Sequence, residues 1–449
     1  MTNQMLPVRK LFHIEKGELQ STKCTKGEFD FITAAEDWKK HNEYSHECEA
    51  LIFAAAASGS LGRTHYIDGK FTASDLCYIL TQKNEDKYPL NLSFYHFVFN
   101  SLRSKLVAST KSGTSKESIN QTNLKNYEIP YFDIEQQDAW IEKLKKTLAL
   151  KNLLSAELIH QQNLLQRLRQ QILQEAIEGK ITAEWRAQNP DLEPANNLLK
   201  RIAAEKEKLI EDRKIKAQKP LPPISDNKKP FAIPESWEWC NYGDVMLKIE
   251  AGASPLCFNY PASNDEWGVL KISAISWDAF QENENKKLHP NIEPFTEKEV
   301  KFGDFIMTRA NTKELVAKSV IVGTVRDKLL LNDKTLRVRF SEHIDNKFIN
   351  YFNNSEYSRR HYIRVSTGAS PSMKNISRDN IKTLLLPLPP VEEQKVIVSR
   401  VEKLLNICDQ LETKITQNQG YAEQLMQEVL KEAFSYNNTE TTLQETDHP

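Results

Sequence analysis

The sequence predicts an α+β protein with a pseudo-twofold internal repeat, in which two variable domains are separated by a pair of long coiled-coil helices. The first observation is that the segment from Ile119 to Ile177 reappears without a gap from Ile376 to Phe434. A repeat at such a long period indicates two copies of one module. Identical residues recur 257 positions apart, as in the pairs Pro130 and Pro387, Glu135 and Glu392, Gln137 and Gln394, Leu154 and Leu411, Leu168 and Leu425, and Ala176 and Ala433.

The second observation is that the first copy contains a long stretch without helix breakers. After Pro130, the first copy has no proline before Pro190 and no glycine before Gly179. This predicts a helix from about Glu135 to about Glu178. At ~1.5 Å per residue, such a helix is a rod of roughly 60 Å.

Apolar residues recur along the second helix mainly at steps of three and four, which is typical of a coiled-coil seam, and the first helix has a sparser set of the same kind. Both seams turn polar near their midpoints, and a polar layer can fix the register of a coiled coil. We therefore expect the helices to pair with each other, the alternative being that each packs on its own domain. The seam residues are Leu144, Leu154, Leu158, Leu165, Leu168 and Ile172 in the first copy, and Val401, Leu404, Cys408, Leu411, Ile415, Ala422, Leu425 and Val429 in the second.

The third observation concerns the blocks that precede the helices. The first block mixes short apolar runs with turn-rich stretches, which favours an α/β or largely β domain with irregular loops. In the second block, strand-like runs cover Val269 to Ile275, Val320 to Val325 and Leu329 to Val338. A shorter amphipathic helix through Leu198 to Ile210 and a stiff proline-rich linker precede this block.

These patterns divide the chain into five predicted regions. They are a first variable domain at 1–130, a central helical region at 131–220, a second variable domain at 221–388, a C-terminal helix at 389–436, and a polar tail at 437–449 that we expect to be disordered.

Composition limits the function classes. The chain has 449 residues, of which 39% are hydrophobic, so there is room for two to four domains. No apolar run approaches the ~20 residues of a membrane span, and the N-terminus has no signal-peptide character, so we expect a cytoplasmic protein. The six cysteines are scattered without a CxxC pair, which argues against a disulfide framework and against a zinc ribbon.

Basic residues are concentrated locally although the net charge is only −1. A nucleic-acid binder shows its basic footprint in this local way, but charged runs are as often a solvated face. The first variable domain carries Lys23, Lys26, Arg63, Lys70, Arg103, Lys105, Lys111 and Lys116, and the second carries Arg309, Lys313, Lys318, Arg326, Arg337, Arg339, Arg359, Arg360, Arg364, Lys374 and Arg378.

A polar loop stands immediately before the repeated segment in both copies. Glycine allows close backbone approach, hydroxyl and amide groups can bind phosphate, and lysine adds charge, so both loops are candidate DNA contacts. The alternative is an ordinary surface turn. The candidates are Lys111, Ser112, Thr114, Ser115 and Lys116 in the first loop and Thr367, Ser370 and Lys374 in the second.

A second kind of candidate can read base edges. Arg309, Asn311 and Lys313 stand close together in the sequence, and asparagine pairs bidentately with adenine as arginine does with guanine. Arg63 is the equivalent candidate in the first domain, against a purely structural turn.

No catalytic or metal centre is predicted. A self-contained adenine methyltransferase needs a glycine-rich cofactor loop and an Asn/Asp-Pro-Pro-aromatic tetrapeptide, and the nearest match, Asn189-Pro190-Asp191, lacks the second proline and the aromatic ring. His41, His46 and Cys48 have a spacing that metal ligands can have, but without a fourth partner packing or polar surface roles are favoured.

Several motifs resemble those of the specificity subunit of Type I restriction-modification systems. The stretch Pro387-Leu388-Pro389-Pro390-Val391-Glu392-Glu393-Gln394-Lys395 looks like the C-terminal repeat of that family. The stretch from Leu168 to Lys180, followed by Glu193-Pro194-Ala195, looks like its central repeat, and Ile233 to Trp239 is similar to the opening of its second variable domain. The first junction departs from the pattern, because Pro130-Tyr131-Phe132-Asp133 lacks the second proline pair.

The resemblance implies a non-catalytic DNA-recognition subunit with two target-recognition domains held apart by antiparallel helices, each reading one half of a split, asymmetric DNA sequence. It also implies two modification subunits that methylate adenine with S-adenosylmethionine, and motor-nuclease subunits that use ATP and magnesium, so that this chain itself binds no cofactor. Two alternatives stay open. One is a specificity subunit of a methyltransferase-only or Type IIB-like system, and the other is a coiled-coil scaffold without a DNA role.

We expect partner subunits to dock at the ends of the long helices, where apolar surface is predicted to extend beyond the two-helix seam. The predicted residues are Ile172, Leu173 and Ile177 in the first helix and Val429, Leu430 and Phe434 in the second.

Overall fold

The computed structural model describes residues 4–56, 59–112, 117–275, 279–370 and 372–434, so the predicted tail at 437–449 lies outside the described residues. The chain divides into two compact units. The first contains the residues up to His160 and those from Ile415 onward, and the second contains Gln161 to Lys414. Each unit therefore combines one variable domain with parts of both long helices.

The first unit is built from strands and short helices around one main sheet. In chain order its elements are β1 (Gln4–Pro7), α1 (Val8–Leu11), β2 (Phe12–Lys16), β3 (Phe29–Ile32), β4 (Lys39–His41), β5 (His46–Ala54), β6 (Thr64–Ala73), β7 (Cys77–Gln82), α2 (Leu92–Thr110), β8 (Lys111–Ser112), β9 (Ser118–Ile119), α3 (Gln121–Asn126), β10 (Glu128–Tyr131) and the long helix α4 (Ile134–Ile177), which continues into the second unit. Strands β2, β7, β5, β6, β3 and β4 form the sheet in that order, and β1 pairs with β10.

Helix α2 covers one face of this sheet with its apolar side. Phe94, Val98 and Phe99 are buried in the same core as Phe53 of β5. The opposite face of the sheet has a core of its own. The second half of β5, Ala50 to Ala54, is therefore buried on both faces, which explains why its sequence is continuously apolar.

The second unit contains more and shorter strands. Its elements are α5 (Ala183–Ala187), α6 (Ala195–Glu211), β11 (Glu238–Asn241), α7 (Tyr242–Val245), β12 (Met246–Ala251), β13 (Gly268–Leu270), β14 (Asn285–Lys287), β15 (Phe305–Thr308), β16 (Ala310–Asn311), β17 (Ser319–Ile321), β18 (Leu329–Leu330), β19 (Thr335–Phe340), α8 (Asn346–Asn354), α9 (Glu356–Val365), β20 (Lys374–Asn375), α10 (Arg378–Lys382), β21 (Leu385–Leu388) and α11 (Val391–Phe434), which continues into the first unit. Strands β12, β19, β15 and β17 form one sheet, strands β14, β13 and β18 form another, and β11 pairs with β21 as β1 does with β10.

The predicted strands of the second domain are correctly placed but too long. Residues Ile272–Ala274, inside the first predicted run, form a 3-10 turn. The second run is a strand only in β17, and the third is interrupted between β18 and β19. The apolar pattern misleads here because a buried turn needs the same residue types as a buried strand.

Both long helices begin and end within about two residues of their predicted bounds, which is within the usual uncertainty of a helix end. The α+β fold class is confirmed. In the second unit, Arg169 of α4 pairs with Asp409 of α11 (2.6 Å), and further along Arg400 Nη1 donates to Ile181 O (2.6 Å). From the first contact to the second, residue numbers increase from 169 to 181 in one segment and decrease from 409 to 400 in the other, so the paired segments are antiparallel.

The predicted seams are only half correct. One residue per heptad is covered, as shown by the buried Val401, Cys408, Ile415, Ala422 and Val429 of α11 and Leu144, Leu158, Leu165 and Ile172 of α4. The alternate seam positions are 37–51% exposed, namely Leu404, Leu411 and Leu425 on α11 and Leu154 and Leu168 on α4. A two-stranded coiled coil covers both positions, so these helices carry more apolar surface than their mutual contact uses.

Equivalent glutamines fasten the two long helices to their domains. Gln137 Nε2 donates to Phe132 O (2.7 Å), and its Oε1 accepts from the backbone N–H of Asn91 (2.7 Å), the N-cap of α2. Gln394 repeats both bonds, to Pro389 O (3.0 Å) and from the N-cap of α8 (2.9 Å). Both side chains are fully buried, so each glutamine amide depends on these backbone groups for its hydrogen bonds.

A buried carboxylate adds a further connection at the start of α11. Glu393 is 0% exposed and accepts hydrogen bonds from Thr182 Oγ1 (2.6 Å), Arg186 Nη2 (2.8 Å) and Trp237 Nε1 (2.8 Å). These donors belong to the segment after α4 and to the opening of the second domain. One side chain therefore joins three separate parts of the second unit.

Candidate nucleic-acid interface

The candidate interface of the second domain lies at one edge of the sheet that contains β15. Ala251 pairs with Leu336, and Thr308 pairs with Thr335, so β12 and β15 end where β19 begins. The segment after β15, which carries the predicted base readers from Arg309 to Lys313, leaves the sheet at this edge.

The polar loop of the second domain is a hairpin that docks against this segment. Strand β20 pairs with β16, and this pairing sets Lys374 directly opposite Asn311. Thr367 and Asn375 exchange backbone hydrogen bonds of 2.9 and 2.8 Å across the hairpin. Two groups of residues that the sequence suggested separately are thus neighbours in the fold.

The hairpin has a defined internal structure. Gly368 has a φ of +128°, and a Cβ at this position would lie 2.4 Å from the carbonyl oxygen of Met373, so no side chain fits. Lys374 Nζ donates to Gly368 O (2.6 Å), and the hydroxyls of Ser370 and Ser372 are 2.7 Å apart. Lys374 therefore closes the loop as well as adding charge to it.

The predicted base readers differ in how they are held. Asn311 Oδ1 accepts from the backbone N–H of Thr312 (2.8 Å), which holds the amide in one orientation. Arg309 and Lys313 are exposed. Among the described residues, the Arg309 guanidinium has no hydrogen-bond or ion-pair partner, so it can be offered to a ligand.

In the first domain, Arg63 and the hairpin of Lys111 also meet at the end of one strand. Ala54, the last residue of β5, donates to Arg63 O (2.8 Å), and the neighbouring Ala55 O accepts from Ile119 N (2.8 Å), which lies opposite Lys111 in the hairpin. The two sites predicted for this domain are thus neighbours, as they are in the second.

Several candidates of the first domain are already engaged or cannot be placed. Lys111 Nζ lies 2.6 Å from Glu117 Oε1, and Arg63 Nη2 lies 3.7 Å from Glu36 Oε2. Ser112 pairs through its backbone with Ser118. The side chain of Ser112 lies outside the described part of the chain, as do Thr114, Ser115 and Lys116 entirely.

Part of the basic footprint is structural. Lys318, Arg337 and Arg359 are buried. Arg337 binds Glu250 (2.8 Å) and Asp304 (3.1 Å). Although burial raises the pKa of Glu250, hydrogen bonds from Lys248 and Arg337 lower it to about 2. The interpretation of these buried basic residues as part of a DNA footprint is wrong, because they are removed from solvent.

Sequence reasoning missed Lys334, which precedes β19 at the same sheet edge. Its carbonyl accepts from the backbone N–H of Arg309 (2.7 Å), so the two residues are neighbours in space. No sequence signal points to Lys334, because the bond joins backbone atoms and carries no residue preference.

The predicted exposure of the helix ends is wrong. Ile172, Leu173 and Ile177 are buried in the second unit. In the first unit Val429 is buried and Leu430 is half-buried against the core that contains Ile141 and Leu144. The side chain of Phe434 lies outside the described residues. These residues pack within their own unit, since the domain cores extend onto the helix ends.

The exposed apolar residues of the long helices lie nearer their middles. They are Leu148, Leu150, Leu153, Leu154 and Ile159 of α4 with Tyr421 and Leu425 of α11 in the first unit, and Leu164 and Leu168 of α4 with Leu404, Ile407 and Leu411 of α11 in the second. Where exposed apolar residues form one patch, that patch marks a site of protein association.

The histidines whose spacing suits metal ligands make other contacts in the structure. His41 Nδ1 accepts from the backbone N–H of Thr25 (3.1 Å), and His46 contacts Glu15 (3.3 Å). Within the part of the chain that the structure covers, no three His, Cys, Asp or Glu residues are grouped as a metal site requires. No described helix is both long enough and apolar enough to cross a bilayer.

Comparison with known proteins decides the family. A family model described as the Type I restriction modification DNA specificity domain matches residues 3–161 and 234–418, which is most of the chain and includes both hairpins. The chain belongs to this specificity-domain family. The resemblance inferred from the junction motifs is confirmed.

Relatives in the specificity-domain family agree with this assignment. The chain is 39% identical over 250 residues to the EcoEI specificity subunit of Escherichia coli, which covers 55% of this chain and 41% of that subunit. It is 22% identical over 443 residues to the EcoKI specificity subunit of Escherichia coli strain K12, which covers 97% of this chain and 82% of that one. The first match spans about two fifths of the relative's length.

A solved structure shows the same fold. A chain from a study of complex assembly and conformational transition in the type I R-M system aligns with 96% of this chain and 97% of its own length, with a TM-score of 0.57. The sequence identity is 14%, so this similarity describes the fold alone.

Proposed function

We propose that this chain is the DNA-recognition subunit of a Type I restriction-modification complex and that it reads a bipartite, asymmetric DNA target. The observation that carries the proposal is that both domains anchor a polar hairpin at the end of a sheet strand, and that a short helix and a strand connect each hairpin to a long helix. The hairpins have the same place, but the side chains beside them differ. Two different readers in one chain suit two different half-sites.

In the second domain the reading group is Arg309 and Asn311, with the hairpin beside it. An arginine or asparagine that binds a base edge bidentately contributes roughly 1–3 kcal/mol of discrimination. Thr367 and Ser370 carry hydroxyls that can bind phosphate, and such contacts fix the register of a protein on the duplex without choosing a sequence. Arg63 and the Lys111 hairpin occupy the corresponding place in the first domain.

The chain has no catalytic role in this proposal. Two modification subunits that use S-adenosylmethionine methylate adenine, motor-nuclease subunits that use ATP and magnesium cut the DNA, and this chain places them on the target in the cytoplasm. The exposed leucines along the middles of α4 and α11 support docking of the modification subunits there. This replaces the docking expected at the helix ends.

The direct test is to map methylated adenines in a genome with and without the gene for this chain, in the presence of its modification subunits. We expect methylation at one split sequence that disappears when the gene is removed. Arg309→Ala should relax one base position in one half-site and leave the other half-site unchanged. Methylation that does not depend on the chain would refute the proposal.

The two alternative functions can be distinguished with the purified complex. A specificity subunit of a methyltransferase-only or Type IIB-like system would give the same methylation pattern without a motor-nuclease partner in the purified complex. A coiled-coil scaffold without a DNA role would assemble with its partners and show no shift of target DNA in a mobility assay.

A further inference from the structure

In both domains, the chain leaves one sheet strand and returns as the neighbouring strand through the same backbone pattern. In the first domain, Ala54 N donates to Arg63 O (2.8 Å) and Gly62 N donates to Ala54 O (2.8 Å). We call residues 59–63, and residues 314–318 of the second domain, the return turns.

The second return turn repeats these bonds with different residues. Thr308 N donates to Lys318 O (2.8 Å), and Ala317 N donates to Thr308 O (2.9 Å). The residue two positions before the returning strand has a positive φ in both turns, +77° at Gly62 and +59° at Ala317. Alanine rarely adopts this conformation, so the second turn keeps a shape that its sequence does not favour.

An asparagine on the helix that covers each sheet holds the strand that follows the turn. Asn100 on α2 donates to Thr64 O (2.8 Å) and accepts from Thr64 N (3.1 Å). Asn354 on α8 donates to Ser319 O (2.9 Å) and accepts from Ser319 N (3.3 Å). Each amide therefore satisfies both backbone groups of the first residue of the returning strand.

An arginine a few residues further along holds the turn itself. Arg103 Nε donates to Leu61 O (2.8 Å), and its Nη2 donates to Gly59 O (2.8 Å). Arg359 Nη2 donates to the carbonyl oxygens of Val316 and, at 3.0 Å, Glu314. In both turns the arginine binds two carbonyls that stand two residues apart.

The repetition is not a consequence of the sequence repeat, which begins only at Ile119 and Ile376. The turns themselves read Gly-Ser-Leu-Gly-Arg and Glu-Leu-Val-Ala-Lys. The clamp contacts backbone atoms, so it holds the shape of a turn without restricting its side chains. Such a device suits a loop whose side chains must vary between readers while its position must not.

We propose that Asn100 with Arg103, and Asn354 with Arg359, form a repeated clamp that positions the DNA-reading loop of each domain. Arg103 and Arg359 are then positioning residues and not DNA contacts, although both belong to the basic sets of the sequence. Arg359 is only 6% exposed, too little for a phosphate to reach it. This inference rests on the proposed function, because it assumes that the loop between β15 and β17 reads DNA.

The test measures discrimination with the complex assembled from this chain and its modification subunits. Affinities are measured for the target duplex and for duplexes with one base replaced in either half-site. With Arg359→Met, we expect discrimination to fall roughly tenfold in one half-site and to stay unchanged in the other. Arg103→Met should lower discrimination in the other half-site and leave the first half-site unchanged.

Arg360→Met is the matched control, since Arg360 is the exposed neighbour of Arg359 and pairs only with Glu356 among the described residues. It should leave every discrimination ratio unchanged. If Arg359→Met lowers the affinity for all duplexes by one factor, the clamp is merely structural and the proposal is wrong.

Arg359→Lys covers the case in which the methionine variant does not fold. Lysine keeps the charge but cannot bind both carbonyls with a planar fork, so we expect a folded complex with reduced discrimination in the same half-site. A chain that fails to fold even with lysine would contradict a positioning role. A wild-type complex without any discrimination would overturn the proposed function instead.

Discussion

The two domains share a backbone frame, by which we mean the hydrogen-bonded strand ends, hairpins and helix junctions described above. They differ in the side chains that this frame carries. Ile119 N donates to Ala55 O (2.8 Å) in the first domain, and Ile376 N donates to Arg309 O (3.0 Å) in the second. The anchoring bond is the same, but alanine occupies one position and arginine the other. Backbone bonds thus conserve the geometry of the interface, while side chains at equivalent positions stay free to differ.

The domains also differ in how firmly the long helix is joined to its surroundings. Gln137 and Gln394 make equivalent bonds, but the preceding residue is the half-buried Gln136 in one copy and the buried Glu393 in the other. Only the latter binds Thr182 and Arg186 in the described structure. The second domain therefore has a connection that the first lacks.

The largest expected effect tests this extra connection. Glu393→Ala leaves the Arg186 guanidinium without its carboxylate in a largely buried place, and removing one partner of such a pair costs about 3–5 kcal/mol. We expect a lower free energy of unfolding of the second unit in denaturant titrations. Gln136→Ala is the matched control and should change stability by less than about 0.5 kcal/mol. Equal losses in both variants would show that the two junctions are alike.

The next effect tests the shared part of the frame. Gln394→Leu leaves a backbone N–H and a buried carbonyl unsatisfied, and Gln137→Leu leaves an N–H and two carbonyls, since Gln137 Nε2 also donates to Pro89 O (3.0 Å). Each such group costs about 1–3 kcal/mol. We expect both variants to lose at least about 2 kcal/mol in thermal and denaturant unfolding, and Gln137→Leu to lose more because of its third bond. A loss confined to one variant would show that the equivalent hydrogen bonds of Gln137 and Gln394 contribute unequally to stability.

The sequence alone predicted the long helices of this frame better than it predicted which side chains are exposed. The bounds of α4 follow from the absence of proline and glycine between Pro130 and Gly179, since a helix continues until something stops it. Helix α11 contains Gly420, so it was predicted from the spacing of its apolar residues instead. The exposure of Leu154 and Leu411 could not be predicted from the sequence. An apolar residue gives the same sequence pattern whether it packs within its own chain or against another protein. The hairpins were found as polar loops, but Lys334, Asn100 and Asn354 were not recognised as part of the site, since their key bonds involve backbone atoms. Arg103 and Arg359 were counted only as basic residues, and their bonds to backbone carbonyls were not foreseen.

A smaller effect distinguishes the side chains that the frame presents. Arg309→Ala should reduce binding of the proper target by about 1–3 kcal/mol and relax one base position. Lys374→Ala should weaken binding to all sequences, and should lower the slope of log affinity against log salt by about 1 if its ammonium contacts a phosphate. Filter binding at several salt concentrations separates the two. A sequence-dependent loss for Lys374→Ala would reverse these assignments.

The smallest effect concerns the positive φ at equivalent turn positions. Ala317→Gly relieves an unfavourable backbone conformation in the folded protein, but it raises the conformational entropy of the unfolded chain. The two contributions to stability, about 1 kcal/mol each, oppose each other. We expect its melting temperature to stay close to that of the wild type. Gly62→Ala should destabilise, because the added Cβ would lie 2.7 Å from Val107 Cγ2. Destabilisation by Ala317→Gly of more than about 2 kcal/mol would contradict this balance.

The leucines left uncovered along α4 and α11 have a consequence for the life of the chain in the cell. Leu153, for example, is 69% exposed. Under the proposed function, newly made copies that have not met a modification subunit display this surface to chaperones and proteases, and they can associate with one another through it. Pulse-chase measurements should therefore show a short half-life for the chain expressed alone and a longer one when its partners are made in the same cell. The supply of partners would then set how much of this subunit persists, without any transcriptional control.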